Sequence, residues 1–174
     1  MDLVKAARKG EEAAFLQLFD EHHLPLFRFA YRLTGSMADA EDIVQECFLS
    51  LLRKECTYDP KRTPIRTYLF GIVRNQSLKR LRKSSFGLDG TAPLSPESEV
   101  LRNEMEDAVA RAVMELPDIQ REVLVLAHYE QMPLAEIAQV LGVELGAAKS
   151  RLQRARASLK ETLAVYAPGM ERKR

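Results

Sequence analysis

The sequence predicts an all-α protein built of two small helical domains joined by a flexible linker. Apolar residues recur every three or four positions in both halves, which is the period of an amphipathic helix. We find no alternating run bounded by hairpin signals that would indicate a β-strand. A stretch rich in Ser, Gly and Pro interrupts the helical pattern after residue 83. The 174 residues, 46% of them hydrophobic, suffice to bury a core.

The boundaries follow from this change in composition. We expect a first domain at 1–83, a linker at 84–99, a second domain at 100–165 and a frayed tail at 166–174. The stretch SSFGLDGTAPLSPESEV contains four Ser, two Gly and two Pro in 17 residues. As a flexible coil, a segment of this length spans roughly 23 Å between its ends.

Composition limits the classes of function. No apolar run approaches the ~20 residues needed to cross a bilayer, and the acidic N-terminal stretch does not suit a signal peptide. Cys47 and Cys56 lack CxxC spacing, which favours a reducing compartment, and the three histidines lack metal-ligand spacing. We therefore expect a cytoplasmic protein with no membrane insertion, metal or cofactor. With no catalytic constellation, we do not expect an enzyme.

The first domain contains an acidic amphipathic helix. Residues 11–33 predict a preceding helix that Pro25 is expected to kink or restart. The acidic helix follows at about 38–54, where the apolar residues of one face are Ile43, Val44, Cys47, Phe48, Leu51 and Leu52. Positions 36–46 carry four acidic residues and no basic one. On its own, such a pattern also suits an ordinary solvated helix face.

A basic helix follows it. Positions 61–83 hold eight cations and no anion, although the whole chain has a net charge of only +1. Its apolar positions, expected in the core, are Ile65, Leu69, Ile72, Val73 and Leu81. Charge sorted into blocks indicates a basic partner for the acidic block and a polyanion for the basic one.

The second domain shows a helix-turn-helix pattern. Pro117 suits the first turn of one helix, and a second begins near Pro133. Gly142 ends the second helix, and a third is expected from about Glu144 to Glu161.

The third helix has two distinct faces. The expected core face consists of Leu145, Ala148, Leu152, Ala155 and Leu159. The opposite face consists of Gly146, Ala147, Ser150, Gln153 and Arg154, with Lys149 and Arg151 at its flanks. Small residues allow close approach to a major groove, and long basic side chains reach base edges and phosphates. The alternative is an ordinary solvated basic helix.

Three segments in one order carry a family resemblance. DAEDIVQECFLSLL, PIRTYLFGIVRNQSLKRLRK and LPDIQREVLVLAHYEQMPLAEIAQVLGVELGAAKSRLQRARASLK resemble a bacterial extracytoplasmic-function (ECF) sigma factor. Such factors keep only sigma region 2, a helical bundle, and sigma region 4, a helix-turn-helix. The resemblance covers about residues 10–163 and implies these two folds for the two domains.

The resemblance also implies partners and site residues. It implies that the chain binds core RNA polymerase through Asp39, Asp42, Gln45 and Glu46. It implies that the −10 promoter element is melted and recognised through Arg66, Arg74, Asn75, Lys79, Arg80 and Arg82. It implies that the −35 element is read through Gly146, Ala147, Lys149, Ser150, Arg151 and Arg154. An anti-sigma factor is the implied inhibitor, and the free protein is expected to be a monomer.

The chain departs from the family pattern in two places. It has no Trp, so Phe70 and Leu52 are expected to take the packing positions, with Tyr68 favoured as a core residue. Ala147 stands where a hydroxyl is commoner, which affects the −35 sequence preference. Two alternatives are a decoy that sequesters an anti-sigma factor and a dimeric helix-turn-helix repressor that acts without polymerase.

Overall fold

A computed structural model describes residues 2–86 and 104–166 of the chain, and these form helices and turns without a strand. Domain 1 contains α1 (Leu3–Arg8), α2 (Glu12–Thr34), α3 (Met37–Leu52) and α4 (Ile65–Phe86). Domain 2 contains α5 (Glu104–Glu115), α6 (Asp118–Leu124), a π-helical turn (Val125–Tyr129), α7 (Leu134–Leu141), α8 (Leu145–Thr162) and a final 3-10 turn (Ala164–Tyr166). The all-α prediction is confirmed. Among the helices of these two ranges, none has the length and hydropathy of a transmembrane span.

The core of domain 1 lies between α2, α3 and α4, with α1 packed against α2 and α3. The rings of Phe29 and Phe70 lie 5.2 Å apart at its centre, and both are fully buried. Phe70 therefore packs in the core, as expected for a chain without Trp. Tyr68 is half-buried and packs on the core edge against the ring of Tyr58, 5.1 Å away.

The sharp turn between α2 and α3 places the acidic helix. Gly35 ends α2 in the left-handed conformation, with φ of 71°, which glycine adopts without steric cost. Ser36 then caps α3, because its side-chain oxygen accepts a hydrogen bond from the Asp39 backbone N–H at 3.2 Å. The apolar stripe of α3 consequently faces α2 and α4, and its acidic residues lie on the other side.

Domain 2 has the predicted helix-turn-helix. Gly142, with φ of 64°, ends α7, and the Val143 backbone N–H bonds back to the Ala138 carbonyl at 3.0 Å. On α8 the predicted core residues Ala148, Leu152 and Ala155 are buried. This packing holds α8 against α6 and α7 with its small and basic residues outward.

The helix before Pro133 contains a π-helical turn that the sequence analysis did not predict. Between Val125 and Tyr129 the chain takes a wider turn, and the Glu130 backbone N–H bonds to the Val125 carbonyl five residues back at 3.2 Å. Tyr129 and Glu130 thereby face domain 1. There the Arg32 guanidinium stacks over the Tyr129 ring, 4.0 Å from its centre.

One sequence expectation is wrong, and of the two effects expected of Pro25 one is excluded. Leu145 is 52% exposed, because it is the first residue of α8 and lies beyond the packed turn. The α2 helix does not restart at Pro25 but continues from Glu12 to Thr34, since its buried apolar face runs along α3 and α4 on both sides of the proline. The segments 87–103 and 167–174, with most of the expected linker and tail, lie outside the described residues.

Candidate nucleic-acid and protein interfaces

The acidic face of α3 is available to a partner. Asp42 and Gln45 are exposed, while Asp39 and Glu46 are partly exposed. The Glu46 carboxylate lies 3.0 Å from the Arg53 guanidinium at the end of the helix. Leu49, which the sequence analysis did not include, is 54% exposed beside Gln45 and Glu46 in the same groove. Its place outside the apolar stripe of α3 was the available signal.

The basic helix α4 lies directly beside this acidic face. The Arg80 guanidinium donates to the Asp39 carboxylate at 2.6 Å and lies 3.6 Å from that of Asp42. Lys79 and Lys83 line the same groove as Asp42. The predicted polymerase-binding and −10-binding residues therefore meet along one edge.

Besides Arg80, which pairs with the acidic helix, the predicted −10 residues of α4 divide into two groups. Asn75, Lys79 and Arg82 are exposed to solvent. Arg66 and Arg74 instead face domain 2, where Arg74 bonds the Glu122 carboxylate at 2.7 and 3.0 Å. Sequence analysis could not anticipate this second group, because its partners lie more than 40 positions along the chain.

The predicted −35 face of α8 is open to solvent with one exception. Gly146, Ala147, Lys149, Ser150 and Arg154 are exposed along one side of the helix. The exception is Arg151, whose side chain is only 24% exposed and lies 3.6 Å from the Glu122 carboxylate. The opposite face of α8 is apolar and packs on the domain. The exposed face, with its small and basic side chains, has the shape and charge that suit a DNA major groove.

Domain 1 also contains a buried histidine and two free cysteines. Burial lowers the pKa of His22, and its Nε2 makes no hydrogen bond within the described residues. Burial, with a smaller effect of Cys56, raises the pKa of the Cys47 thiol to about 12. The Cys56 thiol lies 3.4 Å from the Tyr68 hydroxyl. Within residues 2–86 and 104–166, no group of His, Cys, Asp and Glu is arranged to hold a metal ion.

Comparison with protein families assigns both domains. Residues 18–86 match the model of sigma-70 region 2, and residues 106–159 match that of sigma-70 region 4. These spans include the acidic helix, the basic helix and the helix-turn-helix described above.

Individual relatives match over almost the whole chain. The ECF RNA polymerase sigma factor SigL of Mycobacterium tuberculosis is 34% identical over 94% of this chain and 96% of its own length. SigM of the same species is 35% identical over 99% of this chain and 89% of its own. SigW of Bacillus subtilis is 29% identical over 92% and 94%.

Solved structures share the arrangement of the helices. CnrH, in complex with the cytosolic domain of CnrY, superposes with a TM-score of 0.73 at 29% identity, covering 95% of this chain and 97% of CnrH. The sigma factor RpoE of Bartonella quintana, in complex with the anti-sigma factor NepR, gives 0.72 at 26% identity, covering 88% of this chain and 98% of RpoE. Family models, relatives and structures agree, and the chain belongs to the ECF RNA polymerase sigma factors, which direct bacterial RNA polymerase to promoters.

Proposed function

We propose that this sigma factor uses three surfaces for three separate tasks. The observation that carries the proposal is the segregation of charge on exposed helix faces, acidic on α3 and basic on α4 and α8. The α3 face (Asp39, Asp42, Gln45 and Glu46) binds core RNA polymerase. Exposed Leu49 adds an apolar contact at the centre of that surface.

The basic helix α4 captures the −10 element as a single strand. Asn75, Lys79 and Arg82 are exposed, and Arg66, Arg74 and Arg80 join them once their carboxylate partners are released. A cationic helix that tracks phosphates stabilises an unpaired strand, and each base stacked on a planar group adds about 1–3 kcal/mol. Binding the single strand more tightly than the duplex favours melting.

The α8 helix reads the −35 element in the major groove. Gly146 and Ala147 at its first turn allow close approach of the backbone to the DNA. Lys149, Ser150, Arg151 and Arg154 supply contacts to base edges and phosphates.

Several further properties belong to this proposal. The domains extend over 1–83 and 100–165, and the segment 84–99 joins them. The protein acts in the cytoplasm as a monomer when free and catalyses no reaction itself. An anti-sigma factor holds it inactive; the complex of RpoE with the anti-sigma factor NepR supports this part of the proposal.

Substitution of Asp42 tests the polymerase surface. Asp42→Arg reverses an exposed charge on the proposed docking face and is expected to reduce affinity for purified core polymerase at least about tenfold, because charge reversal at an interface places like charges together. Glu41→Arg, the same change at the neighbouring exposed position on another face of α3, is the matched control. Equal affinities for the two variants and the parent protein would reject this docking surface.

A further inference from the structure

The two domains of this sigma factor share a polar interface that uses promoter-binding residues. The α7 helix of domain 2 packs along α4, and α6 lies against the end of α2. Arg121 of α6 is buried and donates to the Leu33 carbonyl of α2 at 3.1 Å. The interface is therefore specific in its hydrogen bonds as well as in its apolar contacts.

Glu122 is the centre of this interface. Its side chain is fully buried, and its two oxygens accept a bidentate pair of hydrogen bonds from Arg74 of α4. One of these oxygens also lies 3.6 Å from the Arg151 guanidinium of α8. A single carboxylate thus engages one proposed −10 residue and one proposed −35 residue.

Two more carboxylates of domain 2 line the same side of α4. The Arg66 guanidinium donates to the backbone carbonyl of Glu130 at 2.6 Å and lies 3.8 Å from its carboxylate. The Thr67 hydroxyl donates to the Glu136 carboxylate at 3.3 Å. Positions 66 and 74 lie two helical turns apart on α4, so this acidic row follows the axis of the basic helix.

A carboxylate and a phosphate compete for the same arginine. The carboxylate is planar and the phosphate is tetrahedral, but each is an oxyanion that accepts two parallel N–H bonds from one guanidinium. While Glu122 holds Arg74, that side chain is only 16% exposed, and its Nε–H and one Nη2–H, the donor pair that would meet a DNA phosphate side-on, are taken by the carboxylate. The same applies in part to Arg66, which is 37% exposed.

We propose that Glu122, Glu130 and Glu136 of domain 2 form an internal DNA mimic that holds α4 in the free protein and competes with the −10 strand. Domain 2 must swing away before α4 binds DNA. Glu122 and Arg151 both belong to domain 2, so the contact between them moves with that domain. This inference rests on the proposed function, because it takes Arg66 and Arg74 as promoter contacts. The internal mimic inhibits DNA binding without a second protein.

The test compares full-length variants by small-angle scattering and by binding to a fluorescein-labelled oligothymidylate single strand. Glu122→Gln keeps the shape of the side chain and removes its charge. We expect a radius of gyration larger than that of the parent, whose compact value is ~16 Å for this chain length. We also expect the variant to bind oligothymidylate about tenfold more tightly. This is the increase in affinity that follows if the open state makes up about 10% of the parent protein and all of the variant.

Matched controls separate opening from added charge. Glu161→Gln makes the same change in net charge at an exposed position of α8 that takes no part in the contacts between the domains described above. Circular dichroism shows whether Glu122→Gln folds. If it does not, Glu136→Lys tests the same interface from a partly exposed position, with Glu161→Lys as its control. Unchanged radius and affinity in the folded Glu122 and Glu136 variants would overturn the proposal.

Arg74→Ala distinguishes failure of the mimic from failure of the proposed function. It breaks the same ion pair from the DNA-binding side, so it is expected to open the protein without a gain in oligothymidylate affinity. If both Arg74→Ala and Glu122→Gln open the protein and bind the oligomer equally well, the competition with DNA is refuted and Arg74 is not a DNA contact. If neither variant has a larger radius of gyration than the parent, the Arg74–Glu122 contact does not hold the domains together. The proposed binding of α4 to DNA is then unaffected.

Discussion

Arg80 on the basic helix donates a 2.6 Å hydrogen bond to Asp39 on the acidic helix, and it also lies within ion-pair distance of Asp42. The polymerase surface and the −10 surface are therefore coupled by a shared arginine. Both side chains of the shorter pair are 40% exposed, so the pair contributes only about 0–1 kcal/mol to folding. Binding of polymerase to α3 would release Arg80 toward DNA at little cost.

Substitution of Arg80 and Arg82 tests this coupling. Arg82→Ala removes an exposed cation and is expected to weaken open-complex formation, with the slope of log affinity against log salt falling by about 0.7–0.9. Arg80→Ala is expected to cause the same loss and also to change affinity for core polymerase, since it frees Asp39 and Asp42. Permanganate footprinting of promoter melting and a polymerase-binding titration measure the two effects. Identical polymerase affinities for the two variants would contradict the coupling.

The reading face of α8 is tested at Arg154. Arg154→Ala removes an exposed cation from the small and basic face and is expected to weaken binding of the holoenzyme to −35 duplex DNA about tenfold, because one bidentate base contact contributes roughly 1–3 kcal/mol of discrimination. Arg156→Ala is the control, since Arg156 lies on another side of α8, where it donates to the His128 ring at 3.1 Å. Equal losses for both variants in a filter-binding assay would show that the effect is one of net charge.

The two cysteines should react at very different rates. With a pKa of about 12 against an ordinary value of 9.0, Cys47 has about a thousandfold less thiolate than an unperturbed thiol at pH 8. Cys56 is only half-buried. Iodoacetamide followed by mass spectrometry is therefore expected to modify Cys56 in the folded protein and both residues in urea. Modification of Cys47 at a similar rate in the folded protein would contradict the buried position of its thiol.

Stability of domain 1 should fall in mild acid because of His22. Burial lowers the pKa of His22 below its ordinary value of 6.5, with Arg66 acting in the same direction and Glu21 opposing. The folded protein therefore disfavours the charged ring, and the stability that depends on neutral His22 is present above pH 6.5 and is lost as the pH falls below it.

Thermal denaturation on both sides of that pH measures the effect. The melting temperature of the parent is expected to fall more between about pH 7.5 and 5.5 than that of His22→Gln, which does not titrate. An equal decrease in both proteins would show that other groups govern the acid response.

Periodicity and composition predicted most of the fold for a simple physical reason. Helical spacing and local stop signals such as Gly142 depend on residues close together in the chain, and the helix-turn-helix follows from them. The exposed positions of α3 and of α8 were predicted on the same basis, from which face is apolar.

Contacts between the domains could not be predicted in this way. The sequence shows Arg74 as one of eight cations in a basic segment, and nothing near it in the chain indicates that Glu122 neutralises it. Leu145 was misplaced because a helical wheel does not distinguish the first residue of a helix from its packed middle. The π-helical turn at Val125–Tyr129 leaves no signal in an apolar pattern that continues through it.

That π-helical turn has a consequence for how such proteins diverge. Its wider loop accommodates one more residue than an α-helical turn, and each residue of an α-helix rotates the chain by about 100°. Deletion of a single codon there would leave the upstream core in place while turning Tyr129 and Glu130 away from Arg32 and Arg66. The contacts that Tyr129 and Glu130 make with domain 1 can thus be gained or lost through chain length alone, while Arg121 and Glu122, upstream of the turn, keep theirs.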